Sequence, residues 1–288
     1  KLQSSTMASK NQKIALGTVQ FGLQYGIGNK EGKTNSIEVS KILNVAHTEG
    51  VRLLDTAQAY GDSERVIGRL HENRFRIITK INPDEAEARS AEVLVQQSLE
   101  NLSINSIYGL LFHSAISAFE NPKIVSQLKD LQKQGIIQKI GFSVYTPNEL
   151  SQLIVKYGIP DIIQIPYSHL DQRFESLAID LHKEGVEIHT RSTFLQGLFF
   201  VDPEDLPDFF EPITPYLNRL RNSFFDSTQL AQALLNFSLS KDFIDHVVIG
   251  VNNESQLIQN INFSQTSSFD LPEPPRKIAE NILIPYLW

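Results

Sequence analysis

RLLDTAQAYGDSERVIG, residues 52–68, decides the fold. It opens on a short apolar run that stops at Asp55, crosses a polar stretch holding Tyr60, and resumes with the spacing of a helix. One strand, one loop and one helix follow in that order. The loop sits at the strand's C-terminal end, and it carries the residues with chemistry. The same order recurs outward in both directions. Runs rich in β-branched or apolar residues occur at KIALGT (13–18), RIITKI (76–81), IYGLLFH (107–113), KIGFS (139–143), IIQIPYS (162–168), EIHTRST (187–193) and HVVIG (246–250). Most are near-continuous, as expected of strands buried on both faces.

Helical spacing fills the intervals. In 36–49, Ile37, Ile42, Val45 and Ala46 fall on one face; in 90–102, Ala91, Leu94, Val95 and Leu102 do, with Ser98 intruding. In 226–239 the face is Leu230, Ala233, Leu234 and Phe237. Thr146-Pro147 reads as a helix start, because proline's missing N–H is harmless there. Asp226 reads as a cap. Eight strand–helix alternations predict one (β/α)8 barrel, whose usual size is roughly 250 residues. A doubly wound sheet would bring a G-x-G-x-x-G turn after its first strand. GTVQFGLQYGIG has the wrong spacing for that. We read residues 1–6 as a cloning remnant, Met7 as the native start, and 7–288 as a single barrel domain. Its long loop, about 197–225, carries four prolines.

The chain has 288 residues, 41% of them hydrophobic, and a net charge of −7. That charge, without any basic cluster, argues against a nucleic-acid partner. No apolar run reaches the length of a membrane span, and the first residues have no signal-peptide core, so a cytoplasmic protein is expected. Cysteine is absent, which removes disulfides, thiolate metal sites and a thiol nucleophile. H-E-x-x-H and G-x-S-x-G are absent too. Neither a metal site nor a serine hydrolase is therefore expected.

In a barrel of this kind the strand C-termini form the active face. Asp55, Tyr60, Lys80 and His113 all lie at or just past such ends. Singly, each has a plain structural reading: a helix cap, a loop aromatic, a solvated strand end, a core histidine. Sharing one face, they suggest proton delivery. A free phenol donates poorly at neutral pH. A nearby ammonium would lower its pKa, a carboxylate would hold that ammonium, and a neutral histidine would orient a carbonyl oxygen. A strand-end lysine also leaves Schiff-base lyase chemistry open.

At these residues the chain resembles the aldo-keto reductase family. DTAQAYGDSERVIG is similar to that family's D-T-A-x-x-Y-G-x-x-E-x-x-x-G signature, and the likeness runs from about Lys13 to Ile261. The resemblance implies reversible NAD(P)H-dependent reduction of an aldehyde or ketone. Tyr60 would be the proton donor, Lys80 its activator, Asp55 the lysine's partner, and His113 the group that orients substrate. It implies a nicotinamide cofactor laid over the barrel mouth and held by Gly17, Thr18, Asp55, Ser143, Gln164, Arg191, Ser192, Leu195, Gly197, Gly250, Asn252, Asn253, Gln256 and Asn260. Two positions depart from the pattern. Val144 replaces an expected asparagine. Arg191 replaces a tyrosine that stacks on the nicotinamide, and a guanidinium plane can also stack; the plain alternative pairs Arg191 with a loop carboxylate.

NADP(H) is the family default. However, no Lys or Arg lies between Gly250 and Ile261, and Glu254 adds a negative charge, so NAD(H) is a serious alternative. Gln20, Phe21, Gln24 and Tyr25 are expected near the pocket mouth, with Phe21, Tyr25 and His113 touching substrate. With Arg191 they suggest a small, polar or sugar-derived carbonyl compound. Some members of the family are cofactor-binding regulatory subunits, which is a second reading. Nothing in the sequence sets the oligomeric state.

Overall fold

The computed structural model describes residues 11–25, 32–81, 90–264 and 270–288. The cloning-remnant reading and Met7 lie outside the described residues.

All eight expected strands form, and they close into a parallel barrel in sequence order. They are β1 (Ile14–Gly17), β2 (Leu53–Asp55), β3 (Arg76–Ile81), β4 (Ile107–Phe112), β5 (Ile137–Ser143), β6 (Ile162–Pro166), β7 (Glu187–Arg191) and β8 (His246–Gly250). Besides a single helical turn at Val19–Gly22, the helices described are α1 (Ser36–Thr48), α2 (Ser63–Leu70), α3 (Ala91–Leu102), α4 (Ala115–Glu120), α5 (Pro122–Lys133), α6 (Pro147–Tyr157), α7 (Glu175–Lys183), α8 (Thr214–Asn222), α9 (Ser227–Leu239), α10 (Glu254–Ser264) and α11 (Glu280–Leu283). No helix among the described residues is long and apolar enough to cross a membrane.

Successive strand residues point to opposite faces, so each strand divides between two cores. Ile14, Leu16, Leu54, Ile77, Ile163 and Ile165 face outward to the helices. Ala15, Leu53, Ile78, Leu111 and Ile162 fill the barrel interior. Two residues further along the same strands come Gly17, Asp55, Lys80, His113 and Gln164. The sequence period alone therefore lifts these five to the layer above the apolar plug.

Local signals explain the helix starts. Thr146 and Glu149 close a capping box at α6. Asp226 accepts the Gln229 N–H at 2.9 Å ahead of α9. The apolar face expected for α1 needs a correction. Ile37 is 75% exposed, and Val39, Ile42, Leu43 and Ala46 form the buried face; the 3.6-residue period favours 39/42/43/46 over a stripe begun at 37. Ser98 does not disturb α3, because its hydroxyl donates to the buried Glu64 carboxylate at 2.9 Å. The stretch expected as a long loop, 197–225, instead holds the end of a 3-10 segment (Leu195–Phe200), two further short ones (Pro203–Asp205 and Asp208–Ile213) and α8. Phe210, Ile213, Tyr216, Leu217 and Leu220 bury there in a second apolar cluster. Pro203 and Pro215 stand in the first turns of the Pro203–Asp205 segment and of α8, where they start helical turns; Pro207 caps the Asp208–Ile213 segment and Pro212 lies inside it.

Candidate active site

The signature loop is fixed before any chemistry is considered. Gly61 has φ +59°, the left-handed region that favours glycine, and a Cβ there would stand 2.7 Å from Gly22 O. At Gly68 a Cβ would meet Asn101 O at 2.1 Å, so α2 and α3 approach as closely as glycine permits. Glu64 ties that contact together. Thr79 Oγ1 donates to it at 2.6 Å and Asn101 Nδ2 at 3.1 Å. The signature's glutamate and glycines thus hold the loop that presents Tyr60.

Lys80 and Asp55 form a buried ion pair, with Nζ 2.7 Å from Oδ1. Lys80 Nζ also donates to Thr56 O at 3.0 Å. Gln164 Nε2 donates to the other Asp55 oxygen at 2.6 Å. Thr18 Oγ1 donates to Asp55 O at 2.9 Å. Asp55 is therefore the junction of β1, β2, β3 and β6. The Lys80 ammonium lies 5.2 Å from the centre of the Tyr60 ring, and the Tyr60 and His113 rings meet edge to face at 5.6 Å. The four residues read from strand ends do converge.

Their electrostatics differ from expectation in one respect. The Tyr60 phenol is raised above its ordinary pKa, chiefly by burial and then by the Asp55 carboxylate, with Arg191 opposing. The ammonium expected to acidify it is committed to Asp55 instead. Burial also lowers the Lys80 pKa, against the pull of Asp55. Burial, reinforced by the Lys80 charge, lowers His113 to about 4. The imidazole is consequently neutral at neutral pH.

Above these groups opens a cavity of about 730 Å³. Its floor includes Asp55, Tyr60 and His113, and its wall runs past Gly17, Thr18, Ser143, Gln164, Arg191, Ser192 and Gly197 to Gly250, Asn252 and Gln256. Lys80 lies beneath and does not line it. Gln20 and Tyr25 line it as expected, with Tyr25 Oη accepting from Gln196 Nε2 at 3.0 Å.

Five expected positions fall elsewhere. Phe21 is fully buried in the outer core, because the helical turn Val19–Gly22 aims it inward. Gln24 is absent from the wall. Leu195 is buried in the second apolar cluster; the left-handed backbone at Leu195, Gln196 and Gly197 turns the neighbouring residues to the cavity instead. Asn260 is buried on α10 and lines neither cavity. Asn253 caps α10, accepting the Gln256 N–H at 3.0 Å, and lines a second cavity of about 310 Å³.

Arg191 stacks on Tyr145, its guanidinium carbon 4.1 Å from the ring centre, and donates to Val144 O at 3.1 Å. A third contact runs from Nη1 to Ser192 Oγ at 3.4 Å, and no carboxylate is among the partners seen for it in the described residues. Tyr145 itself lines the cavity and went unread in the sequence. Its only signal was position, next to the substituted Val144.

The site's dimensions suit a nicotinamide dinucleotide. Ligand cavities run to roughly 300–1,000 Å³, and this one extends from the proton-bearing floor to α10. Two buried acceptor atoms on its wall, Gln20 Oε1 and Asn252 Oδ1, have no hydrogen-bond partner among the described residues.

Comparison with known proteins agrees with this geometry. The profile of the Aldo/keto reductase family matches residues 13–272. The chain is 24% identical over 280 residues to an uncharacterized oxidoreductase, YqkF, of Bacillus subtilis, covering 87% of this chain and 90% of that protein. It is 26% identical over 225 residues to an NADH-specific methylglyoxal reductase of Escherichia coli, covering 65% and 68%. Among solved structures, an aldo-keto reductase from Bacillus halodurans in its holo form superposes with a TM-score of 0.69 at 20% identity, over 90% of this chain and 88% of that one.

Proposed function

The chain belongs to the aldo/keto reductase family, and we propose that it reduces a small polar carbonyl compound to the alcohol, with Tyr60 giving the proton. The observation that carries this reading is Tyr60 on the cavity floor, set over the buried Lys80–Asp55 pair and against a neutral His113. A nicotinamide cofactor, when bound, supplies the hydride. Gly17, Ser143, Arg191, Ser192, Gly197, Gly250, Asn252 and Gln256 are the wall residues that would hold it.

The protein's own groups handle oxygen and proton. Neutral His113 donates a hydrogen bond to the carbonyl oxygen and orients it. Tyr60 keeps its proton in the resting site, because burial and Asp55 disfavour phenolate. An alkoxide is more basic than a phenolate, so the proton moves from Tyr60 Oη once charge develops on the substrate oxygen. The Lys80 ammonium then lies beside the new phenolate and stabilises it. Asp55, held by Gln164, keeps that ammonium in place.

Arg191, Gln20 and Tyr25 on the wall support a polar substrate. Similarity to a protein described as a methylglyoxal reductase supports a small one. The lyase reading loses support from geometry, since the Lys80 amine is buried and bonded below the wall. For the ribose end, NADP(H) is the family's default and NAD(H) the alternative.

Tyr60→Phe tests the assignment, because it removes the hydroxyl and keeps the ring. Turnover of methylglyoxal, followed by loss of reduced nicotinamide, should fall about 10²- to 10⁴-fold, with cofactor affinity unchanged within about threefold. A loss below about tenfold would show that another group delivers the proton.

A further inference from the structure

The N-terminus of α10 forms the far end of the main cavity. A helix start leaves backbone N–H groups unsatisfied and attracts anions. Here an anion is already installed. The first N–H of α10, on Glu254, donates to Glu38 Oε1 at 2.8 Å across 216 positions of sequence. Glu38 sits in the first turn of α1, three residues after the N-cap Asn35. That hydrogen bond leads the causes holding its carboxyl below the usual range, so the group is charged at neutral pH.

Glu38 also lines the second cavity, with Lys33, Thr34, Asn35, Asn252 and Asn253. Asn252 belongs to the walls of both cavities and joins them. Its Oδ1 is buried without a partner among the described residues, while its N–H is taken by Gln256 Oε1 at 2.8 Å. Among the described residues, the two lysines nearby are engaged. Lys33 Nζ is held by both oxygens of Asp62 at 2.5 and 2.7 Å, and Lys41 Nζ lies 3.3 Å from Glu38 Oε2. The junction therefore offers an orphan acceptor and a carboxylate.

We propose that Glu38 is a specificity-determining residue that makes this chain prefer NAD(H) over NADP(H). The inference rests on the reductase reading above and concerns only the adenosine ribose. A ribose 2′-hydroxyl carries a proton for these acceptors. A 2′-phosphate brings only acceptor oxygens and further negative charge, and meets Glu38 on the helix end that would otherwise attract it.

Fluorescence titration with NADH, NADPH and 2′-deoxy-NADH decides the matter. Wild-type protein should bind NADH at least tenfold more tightly than NADPH, and 2′-deoxy-NADH at least threefold more weakly than NADH. Glu38→Gln keeps an oxygen for the Glu254 N–H and removes the charge. It should tighten NADPH binding at least tenfold while moving NADH less than threefold. Equal or tighter binding of NADPH by wild type, full affinity for 2′-deoxy-NADH, or an unchanged NADH/NADPH ratio in Glu38→Gln would each overturn this inference alone. Failure to bind either dinucleotide would overturn the reductase reading and this inference with it. The deoxy arm uses unmodified protein and so holds even if the variant folds poorly.

Discussion

The two ends of the barrel each bury a cluster of charged and aromatic groups, and among the described residues only one of them lines either of the two cavities above. At the C-terminal end Lys80, Asp55, Tyr60 and His113 stand under about 730 Å³ of open volume. At the N-terminal end Glu187 receives the Tyr108 hydroxyl at 2.7 Å, the Lys139 ammonium, and His189 Nε2 at 2.6 Å. His246 packs its ring 4.7 Å from that of His189, and Arg76 stacks on Tyr108 at 4.4 Å. Glu187, His189 and His246 place ligand-type atoms within 4.8 Å of one another. Both Glu187 oxygens are nevertheless committed to donors, and two cations stand close by. None of these residues lines either cavity. Buried charge marks a reactive site where it adjoins open volume; where donors enclose a carboxylate on every side, it braces strand ends.

The largest expected effect lies at the C-terminal end. Lys80→Met leaves Asp55 buried with a hydrogen bond from Gln164 but no counter-charge. Breaking a buried pair from one side costs about 3–5 kcal/mol, read as a lower urea midpoint. Turnover should fall about 100-fold or more, with its pH optimum moved to the acid side, since the phenolate loses its neighbouring ammonium. Lys80→Met with Asp55→Leu should recover much of the stability and none of the activity. Recovery of both would mean that the pair serves the fold alone, as the Glu187 cluster does.

How much of this was readable in advance follows from periodicity. Eight strands and the convergence of Asp55, Tyr60, Lys80 and His113 were legible, because strand period and chain order place each residue without reference to its neighbours. Phe21 and Leu195 were misplaced because their direction depends on a helical turn and on left-handed backbone, neither of which a residue list encodes. The α8 segment was hidden by the prolines in and before it, of which Pro203 and Pro215 read as loop signals and act as helix starts. Tyr145 and Glu38 were invisible for a different reason. Their roles arise from contacts with Arg191 and with the Glu254 N–H, far away in sequence, and no local pattern announces such pairs.

A middle-sized effect separates the two ends by pH. Burial lowers His246 from 6.5 to about 3, and His113 and His169 to about 4. As pH falls below 6.5 the unfolded chain takes up protons that the folded chain refuses. Stability is therefore full above about 6.5 and is lost progressively as pH drops towards 3. His246→Gln should flatten part of that slope in urea titrations between pH 7 and 5, with kcat/KM at neutral pH unchanged within about twofold. His113→Gln should flatten the slope and also depress kcat/KM about tenfold or more. If His246→Gln depressed turnover as strongly, the distinction between a reactive end and a bracing end would fail.

The smallest effect concerns the contact that tunes the cavity wall. Arg191 is oriented by the Tyr145 ring at 4.1 Å and by Val144 O. A cation–π contact at a partly exposed site is worth about 0.5–1 kcal/mol, which corresponds to roughly a two- to fivefold change in an equilibrium constant. Tyr145→Leu retains apolar bulk and removes the ring face, so Arg191 keeps its charge and its bonds to Val144 O and Ser192 Oγ but loses the stack. KM for a polar carbonyl substrate should rise by that factor, and kcat should stay within about twofold, because Tyr60 and His113 are untouched. Arg191→Lys removes both the stack and the planar fork and should raise KM further, again with kcat nearly constant. Steady-state kinetics with methylglyoxal separate the two parameters. A tenfold fall in kcat with unchanged KM in Tyr145→Leu would show that the ring supports the transition state directly, and that the reactive end extends further along the wall than the four strand-end residues.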